Sequence, residues 1–536
     1  MINHEEFRFG SAGWEVEEGI GRAGLIEEQG TPIGFWQQRM IRLEGDASSI
    51  IFGGAGTGKL RDILAYDLCL NGHENRVVLD PRGELASISM WNLIRFGSHG
   101  WCFNPFGIPG LPQHCINPLE ILTPRSPTLH ADATLIAKAL IVSKGTGESD
   151  TYFIPRAHQY LTEILKSATL RFGAPHFGLV YEIIASIESD HSAWADHIEF
   201  MLSAGDVSMR RAAGEMLTKQ QDTPKEFGGI MGTIYGGLSC LDDPNVRAAL
   251  SRSDFSFADF ASGKTRGTLY LNPPAEFLPQ LAPILRVIFE VAMILKNRAP
   301  DAPRMNFIID EAGQMGRFDT IKRVATYGRG MGVRGRFFFQ DPGQVMLNFG
   351  REGLQSFMNS CQLRAFLPPR DLNTAQLISA MLGNETLSYD DVLAQNEMRH
   401  RSKTAAMDFL FGGDPFRAAL DHRHFKQASK NRVKQARSLM TPDELLALPD
   451  DRCILFISGK NLKPILANKY PYYSRPEMAG MYLNNPYHPP EDRVLITTRR
   501  GERWARIVTE RIPPALAHYP QYQDGYVRYV EGYRPF

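Results

Sequence analysis

Glycine and lysine are spaced near the start of the chain as a phosphate-binding loop requires. An apolar run at 48–52 leads into Gly53-Gly54-Ala55-Gly56-Thr57-Gly58-Lys59, which has the spacing G-x-x-x-x-G-K. Such glycines let successive backbone N–H groups face phosphate oxygens, the lysine reaches the terminal phosphates, and the next helix points its N-terminus at the anion. The residues predicted to bind ATP are Gly53, Gly54, Ala55, Gly56, Thr57, Gly58, Lys59 and Leu60.

Leu60 departs from the usual pattern of this loop. The residue after the lysine is normally Ser or Thr, whose hydroxyl ligates Mg²⁺, and a leucine side chain has no oxygen for that purpose. Either another residue holds the metal or the site is weak.

Two adjacent carboxylates supply a second element of nucleotide chemistry. The apolar run at 305–309 ends in Asp310 and Glu311, which predicts a buried parallel strand that delivers both acids to the carboxyl edge of a sheet. There Asp310 would hold Mg²⁺, through water if need be, and Glu311 would orient or deprotonate the attacking water. The alternative is that the pair is only the N-cap of the following helix.

A third strand is predicted at 336–340, and it ends in Gln340, which is placed to sense the γ-phosphate. Arg329 lies in the glycine-rich segment 328–332, predicted as a loop, from which a planar cation could reach a neighbouring subunit's nucleotide as an arginine finger. The alternatives are an ordinary strand-end amide for Gln340 and a solvated loop arginine for Arg329.

In addition to these motifs, the chain resembles the TraG/TraD group, the hexameric type IV coupling proteins of conjugation and type IV secretion. The resemblance covers roughly residues 8–475 and rests on many short motifs in the same order. They are Gly10-Ser11-Ala12-Gly13-Trp14, Leu79-Asp80-Pro81-Arg82-Gly83-Glu84, Phe103-Asn104-Pro105, Ile116-Asn117-Pro118-Leu119, Leu269-Tyr270-Leu271-Asn272-Pro273-Pro274, Asp310-Glu311-Ala312-Gly313-Gln314-Met315-Gly316, the segment 328–340, and Leu439-Met440-Thr441-Pro442-Asp443-Glu444-Leu445.

The resemblance implies an ATP-driven, Mg²⁺-dependent ring, a hexamer, that feeds single- or double-stranded DNA, a relaxase or an effector protein to a type IV secretion channel. Two features depart from that family. Its members often carry Gly after the loop lysine, and Leu60 is bulkier. Most members also begin with two transmembrane helices, whereas here the family-like region starts within ten residues of Met1.

Strand signals fall into two groups separated by a helical stretch. Residues 50–52, 76–80 and 100–104 precede it, and 268–272, 306–310, 336–340, 362–367 and 454–458 follow it, while about 130–250 has helical periodicity. The predicted fold is therefore α/β, a RecA-like P-loop NTPase sheet with an inserted all-α domain. We expect five segments: an N-terminal segment at 1–47 that packs on the motor, the nucleotide-binding domain in two parts at 48–129 and 251–475, the insert at 130–250, and a C-terminal extension at 476–536.

Composition favours a cytoplasmic protein, and the resemblance implies that it associates peripherally with the inner membrane through partners. No run of about eighteen apolar residues is present, and the nearest candidate, 281–295, is interrupted by Arg286 and Glu290, which predicts a core-facing helix with an i,i+4 salt bridge. Six scattered cysteines without a C-x-x-C pair predict reduced, buried thiols.

Charge is balanced, with 59 basic and 59 acidic residues, which argues against general, non-specific binding to nucleic acid. The basic stretch 399–437 is either a phosphate-neutralising channel lining or a solvated insertion. The Pro-, Tyr- and Arg-rich extension is either a docking surface or simple surface wrapping. Besides the secretion motor, two functions stay open: a recruitment scaffold with weak or no ATPase activity, and a cytosolic DNA translocase.

Overall fold

The computed structural model describes residues 10–143, 148–389, 392–411, 420, 423–424, 426, 433–486, 493–522 and 525–533. The described residues form two compact units. The larger unit lies within Glu17–Leu367, Asp450–Asn461 and Ala467–Phe536, and the smaller within Met1–Val16, Pro368–Pro449 and Leu462–Leu466. Part of the predicted basic stretch, at 412–419, 421–422, 425 and 427–432, lies outside the described residues.

The strands have the following bounds. They are β1 Thr31–Trp36, β2 Arg39–Leu43, β3 Ser49–Phe52, β4 Asn75–Leu79, β5 His99–Phe103, β6 Gly267–Leu271, β7 Met305–Ile309, β8 Val333–Phe339, β9 Leu363–Phe366, β10 Asn384–Tyr389, β11 Val433–Ser438, β12 Arg452–Ile457, β13 Ile465–Asn468, β14 Arg493–Thr498, β15 Gly501–Arg506, β16 Val508–Arg511 and β17 Tyr526–Tyr529.

One large sheet has the strand order β2-β1-β13-β12-β9-β3-β8-β7-β4-β6-β5. The strands from β9 to β5 run parallel to their neighbours. At the other edge β12 is antiparallel to β9, and β1 is antiparallel to both β13 and β2. The parallel strands β3, β4, β6, β7 and β8 are buried along their whole length, which explains their continuous apolar runs.

The helices have the following bounds. They are α1 Glu17–Arg22, α2 Ala65–Leu70, α3 Glu84–Ser89, α4 Leu129–Leu140, α5 Glu148–Phe172, α6 Phe177–Ser189, α7 His191–Ser203, α8 Val207–Asp222, α9 Pro224–Leu238, α10 Pro244–Ala249, α11 Phe257–Ala261, α12 Leu278–Asn297, α13 Asp319–Met331, α14 Pro342–Ser360, α15 Leu372–Leu382, α16 Val392–Phe411 and α17 Pro442–Leu446.

Helices α4 to α10 follow one another between β5 and β6, in the stretch where the periodicity predicts them. Aspartate side chains fix several of the helix starts by accepting hydrogen bonds from free backbone N–H groups of the first turn. The capping residues are Asp190 for α7, Asp206 for α8, Asp243 for α10, Asp341 for α14 and Asp371 for α15. These local signals explain why helix positions are legible in the sequence.

Helix α12 contains the predicted core helix at 281–295. Among the described residues it alone is long and apolar enough to cross a membrane, and 78% of its most apolar window is buried inside the protein. The predicted salt bridge within it is wrong. Arg286 donates to the carbonyl oxygens of Ala139, Leu140 and Met315, while Glu290 accepts from Arg323 and Thr320. Packing partners outside the helix therefore override the i,i+4 spacing.

In the smaller unit, β10 and β11 pair as an antiparallel ribbon, and α17 begins with a capping box between Thr441 and Glu444. The predicted motif at 10–14 lies here, where Ser11 forms a bridge with Glu385. In the larger unit, the C-terminal extension forms the hairpin β14–β15 and the pair β16–β17. All six cysteines are buried and free.

A buried ion pair between strand β8 and helix α2 provides a test of the fold. Arg336 Nη1 on β8 lies 2.5 Å from Asp67 Oδ2 on α2, and both side chains are 2% exposed. Arg336→Met should lower the free energy of unfolding by about 1.5–3 kcal/mol, because Asp67 would lose its nearest cation and keep only Arg76, whose Nη2 lies 4.0 Å from Asp67 Oδ1. Adding Asp67→Leu should recover much of that loss in chemical unfolding curves.

The exposed pair Arg22–Glu18 provides the control. Arg22→Met should change the unfolding free energy by less than about 1 kcal/mol. An effect of Arg336→Met no larger than that of Arg22→Met would refute the structural role of the buried pair.

Candidate functional site

The predicted phosphate-binding loop connects β3 to a π-helical turn at Lys59–Leu64, which continues into α2. The N–H of Gly53 donates to the Phe339 carbonyl, and both the N–H and the hydroxyl of Thr57 donate to the Gly54 carbonyl. Among the described residues, the amides of Gly54, Ala55, Gly56 and Gly58 have no hydrogen-bond partner. This set of free donors is what a phosphate cradle presents.

Two glycines of the loop have backbone conformations that favour glycine. Gly56 has φ +76° and Gly58 has φ +87°. A Cβ on Gly58 would also lie 2.0 Å from Asp62 Oδ2, so no larger residue fits there without displacing that carboxylate. The glycine spacing of the sequence motif therefore reflects both the turn and this close approach.

The side chain of Leu60 contributes to hydrophobic packing and not to metal binding. Its side chain packs against a buried cluster that includes Phe35, Tyr66, Tyr472 and Met478. The position that usually carries a hydroxyl thus contributes to the core around α2.

Glu311 lies between the loop lysine and the predicted phosphate sensor. Lys59 Nζ is 3.2 Å from Glu311 Oε1, and Gln340 Nε2 donates to Glu311 Oε2 at 3.1 Å. The Gln340 backbone N–H donates to Gln344 Oε1 at 3.0 Å, which fixes the strand end. The structure therefore brings together Lys59, Glu311 and Gln340, three residues that lie up to 281 positions apart in the sequence.

The backbone of Glu311 supports a functional reading over the N-cap alternative. Glu311 has φ +55°, a left-handed conformation that costs a non-glycine residue about 1–2 kcal/mol. Its side chain makes no capping hydrogen bond to the short 3₁₀ helix that follows. Strain of this kind concentrates at functional sites.

Asp310 directly follows β7 beside this bridge, and its Oδ1 is buried without a hydrogen-bond partner in the described part of the chain. Burial raises the pKa of Asp310 from 3.8 to about 6, although the Lys59 ammonium opposes the shift. An unsatisfied buried carboxylate oxygen next to a phosphate cradle suits a divalent cation, directly or through water.

A second acid, Asp80, directly follows β4, the strand next to β7, and it has no role among the sequence predictions. Its Oδ2 accepts hydrogen bonds from the Ala86 backbone N–H at 2.9 Å and from Asn272 Nδ2 at 3.1 Å. Burial raises the pKa of Asp80 from 3.8 to about 7, and the charges of Asp310 and Glu84 contribute. The signal was present, since a polar residue follows an apolar strand here as it does at Asp310 and Gln340.

Arg329 lies in a helix, α13, and not in the loop that the sequence predicted. The glycine-rich segment is not a loop, because residues 328–331 form the last turn of α13 and Gly332 ends that helix with φ +68°. Gly328 permits α13 to approach β8, since a Cβ there would lie 2.5 Å from the Val333 carbonyl oxygen. Arg329 is exposed on this last turn and does not join the Lys59–Glu311–Gln340 bridge.

Comparison with known proteins gives a consistent result. Residues 7–409 and 417–490 match the family described as type IV secretory system conjugative DNA transfer. Protein VirD4 of Rhizobium radiobacter is 26% identical over 403 residues, which cover 74% of this chain and 53% of that protein. The type IV secretion system-coupling protein VirD4 of Bartonella quintana is 25% identical over 462 residues, 83% of this chain and 66% of that protein. The match thus spans only about half to two thirds of these relatives.

A solved structure described as plasmid coupling protein TrwB in complex with ADP and Mg²⁺ resembles this chain with a TM-score of 0.57 and 17% identity. The likeness covers 86% of this chain and 96% of that one. At this identity the likeness concerns the fold. The predicted RecA-like α/β fold with a helical domain is confirmed.

The raised pKa of Asp80 predicts a specific pH dependence of stability. A carboxyl whose pKa is higher in the folded state stabilises the fold below about pH 4, and that contribution is lost as the pH rises through about 7. Asp80→Asn removes the titration, so the variant should gain thermal stability relative to wild type between pH 5 and about pH 8.

Thermal unfolding midpoints measured across that range test this expectation. Asp319→Asn, which alters an acid that is 62% exposed, is the control and should follow the wild-type profile. Parallel profiles for wild type and Asp80→Asn would contradict the assignment.

Proposed function

Because the chain belongs to the type IV secretory system conjugative DNA transfer family, we propose that it is an ATP-driven coupling protein that feeds substrate to a type IV secretion or conjugation channel. One observation carries the proposal: Glu311 bridges Lys59 and Gln340 directly beside the free amides of the phosphate cradle. A site that only binds nucleotide has no need of a carboxylate held between the loop lysine and a strand-end amide.

The same residues define the hydrolytic chemistry. ATP supplies the anhydride bond that is cleaved, and Mg²⁺ spreads the charge of its phosphates. Lys59 would exchange Glu311 for a terminal phosphate, and this exchange releases the Glu311 carboxylate to accept a proton from the attacking water. Gln340, which already contacts Glu311, would sense the γ-phosphate.

Asp310 is the metal-holding residue of this proposal. Its Oδ1 is buried and has no partner among the residues that the structure describes, so it fits a cation or its water, and Leu60 leaves no hydroxyl for that role. Mg²⁺ keeps several water ligands in such sites, so one carboxylate suffices as a protein anchor. The structure described as TrwB with ADP and Mg²⁺ supports this choice of cofactors.

We extend the proposal to a homo-oligomeric ring, a hexamer, in which Arg329 acts across the subunit boundary. The exposed position of Arg329 at the end of α13 supports this, because a side chain that serves a neighbour's nucleotide must face outward. An arginine supplied in trans makes hydrolysis in one subunit depend on the next.

The substrate is DNA or a protein such as a relaxase or effector, and the helical insert is the candidate recognition surface.

Contact with the membrane is assigned to a partner protein of the channel. Residues 491–536 lie beyond the family match, and Trp504, Tyr526 and Tyr529 are exposed there, as interface aromatics are.

A second function, a nucleotide-responsive recruitment scaffold, is favoured by Leu60 alone. That residue removes one metal ligand and commits the position to core packing. A channel-independent DNA translocase would share every feature of the motor site.

Substitutions at the bridge test the motor. Lys59→Ala should weaken ATP affinity at least about tenfold, because the phosphates lose their cation, whereas Glu311→Gln should bind ATP and lower kcat about 100-fold or more. Nucleotide titrations and phosphate release with and without DNA measure both. Leu60→Thr should raise Mg²⁺-dependent turnover if the missing hydroxyl limits it. A wild-type protein that binds ATP and never hydrolyses it, in any oligomeric or DNA-bound state, would favour the scaffold.

Mixing subunits tests the arginine finger. Arg329→Ala should bind ATP normally and hydrolyse it slowly, because the missing charge belongs to the neighbouring site. Mixed rings of Arg329→Ala and Glu311→Gln subunits should recover activity at interfaces that pair an intact Glu311 with an intact Arg329. Arg22→Ala, which alters an exposed arginine of α1 that pairs with an exposed Glu18, is the control and should leave turnover unchanged. If activity does not recover although the subunits demonstrably exchange, Arg329 is an ordinary surface residue with no role in hydrolysis.

A further inference from the structure

Arg61 and Asp62 follow the loop lysine in the first turn of the helix and form a two-pronged ion pair. Arg61 Nε lies 2.6 Å from Asp62 Oδ1, and Arg61 Nη2 lies 2.9 Å from Asp62 Oδ2. The Arg61 side chain is 40% exposed, while that of Asp62 is 1% exposed. The arginine is thus the accessible member of the pair, and the carboxylate is the buried one.

A second cation reaches the same carboxylate from the far end of the sequence. Lys469 directly follows β13, and its side chain is fully buried. Its Nζ lies 3.5 Å from Asp62 Oδ2 and donates a hydrogen bond to the backbone carbonyl of Thr57 inside the phosphate cradle. Lys469 therefore holds both the loop backbone and the Asp62 side chain.

This arrangement makes Arg61 dispensable to Asp62. A buried carboxylate that loses its sole cation is strongly destabilised. Asp62 keeps Lys469 when Arg61 leaves, and its backbone N–H stays bonded to the Gly58 carbonyl at 2.7 Å. Arg61 can therefore change partners without stranding a buried charge.

The position of Arg61 also favours an anionic partner. Arg61 and Lys59 both lie in the first turn of a helix, where the backbone dipole is positive and a cation is unfavourable. A phosphate group in the cradle would relieve this repulsion. The planar guanidinium fork that now fits the Asp62 carboxylate fits two phosphate oxygens equally well.

We propose that Arg61 is a second phosphate-binding cation of the cradle, which exchanges the Asp62 carboxylate for a nucleotide phosphate while Lys469 keeps Asp62 and the loop in place. The inference rests on the proposed nucleotide-binding function and adds a ligand contact to it. It also gives the site a positive charge next to Leu60, the position where other loops of this type engage Mg²⁺ through a hydroxyl.

Calorimetric titration of the full chain with ATP and with ADP, in EDTA and in Mg²⁺, tests this role. Arg61→Gln should weaken the affinity for both nucleotides about tenfold, with the larger loss in EDTA, where no metal shares the phosphate charge. Arg61→Lys should recover most of the affinity, which a purely structural role for the arginine fork would not allow.

Arg156→Gln is the matched control, because Arg156 is 37% exposed and pairs with Glu215, which is 20% exposed, in the helical insert and outside the cradle. It should leave both affinities unchanged. Thermal unfolding midpoints of the Arg61 variants should stay near wild type, since Lys469 still pairs with Asp62. Lys469→Met should instead lower the midpoint and the affinity together.

The outcomes separate this inference from the function on which it rests. Wild-type affinity in Arg61→Gln, together with lost affinity in Lys59→Ala, would overturn the role of Arg61 and leave the nucleotide site standing. A wild-type chain that binds neither ATP nor ADP would overturn the proposed function and this inference with it.

Discussion

Parallel pairing of β3, β8 and β7 is the constraint on which the rest of the site depends. Hydrogen-bond register places Phe52 opposite Phe339, and Ile309 opposite Phe337. Because the strands run in the same direction, the residues that follow them emerge at one edge of the sheet. The loop after β3, the acids after β7 and the glutamine after β8 therefore meet there, although more than two hundred residues separate the first from the other two.

Within that edge, electrostatics rather than packing defines the site. Lys59 is nearly buried and is balanced by Glu311, so neither charge stands alone in a region of low polarity. Within the described part of the chain, Asp310 has no such partner for its buried oxygen, and burial raises the pKa of Asp310. A bound polyphosphate with its cation would satisfy both ends of this imbalance, since it brings negative charge to Lys59 and positive charge to Asp310.

The segment after β13 connects the site to the C-terminal part of the chain. Lys469 contacts the Thr57 carbonyl, the Tyr66 hydroxyl donates to the Tyr470 carbonyl at 2.9 Å, and Asn485 Nδ2 donates to Glu84 Oε2 at 3.1 Å. Leu60 packs against the buried cluster that includes Tyr472 and Met478 of the same segment. The departure at Leu60 thus has a physical account: the loop is braced by hydrophobic and ionic contacts from a distant segment of the chain.

The sequence by itself determined the elements whose signals are local. Apolar runs at 50–52, 306–310 and 336–340, glycines with positive φ in the loop, and helical periodicity at 130–250 predicted the central strands, the cradle and the helical insert. The sequence did not predict strands β1 and β2 or the hairpins after residue 492. Their short runs of mixed polarity resemble loops, and pairing with a neighbouring strand is what stabilises them.

Only the tertiary structure decided which charges meet. Arg286 and Glu290 have ideal helical spacing, yet each binds partners outside α12. The elements packed against α12 supply these partners to both buried side chains. Arg329 sits among glycines that suggest a loop, yet Gly328 serves helix packing and Gly332 ends the helix. Lys469 carries no local signal of a role at the site, since its partners Thr57 and Asp62 lie hundreds of residues away. Contacts that depend on register and burial are absent from local sequence, which is why the sheet's order had to be known before these residues could be placed.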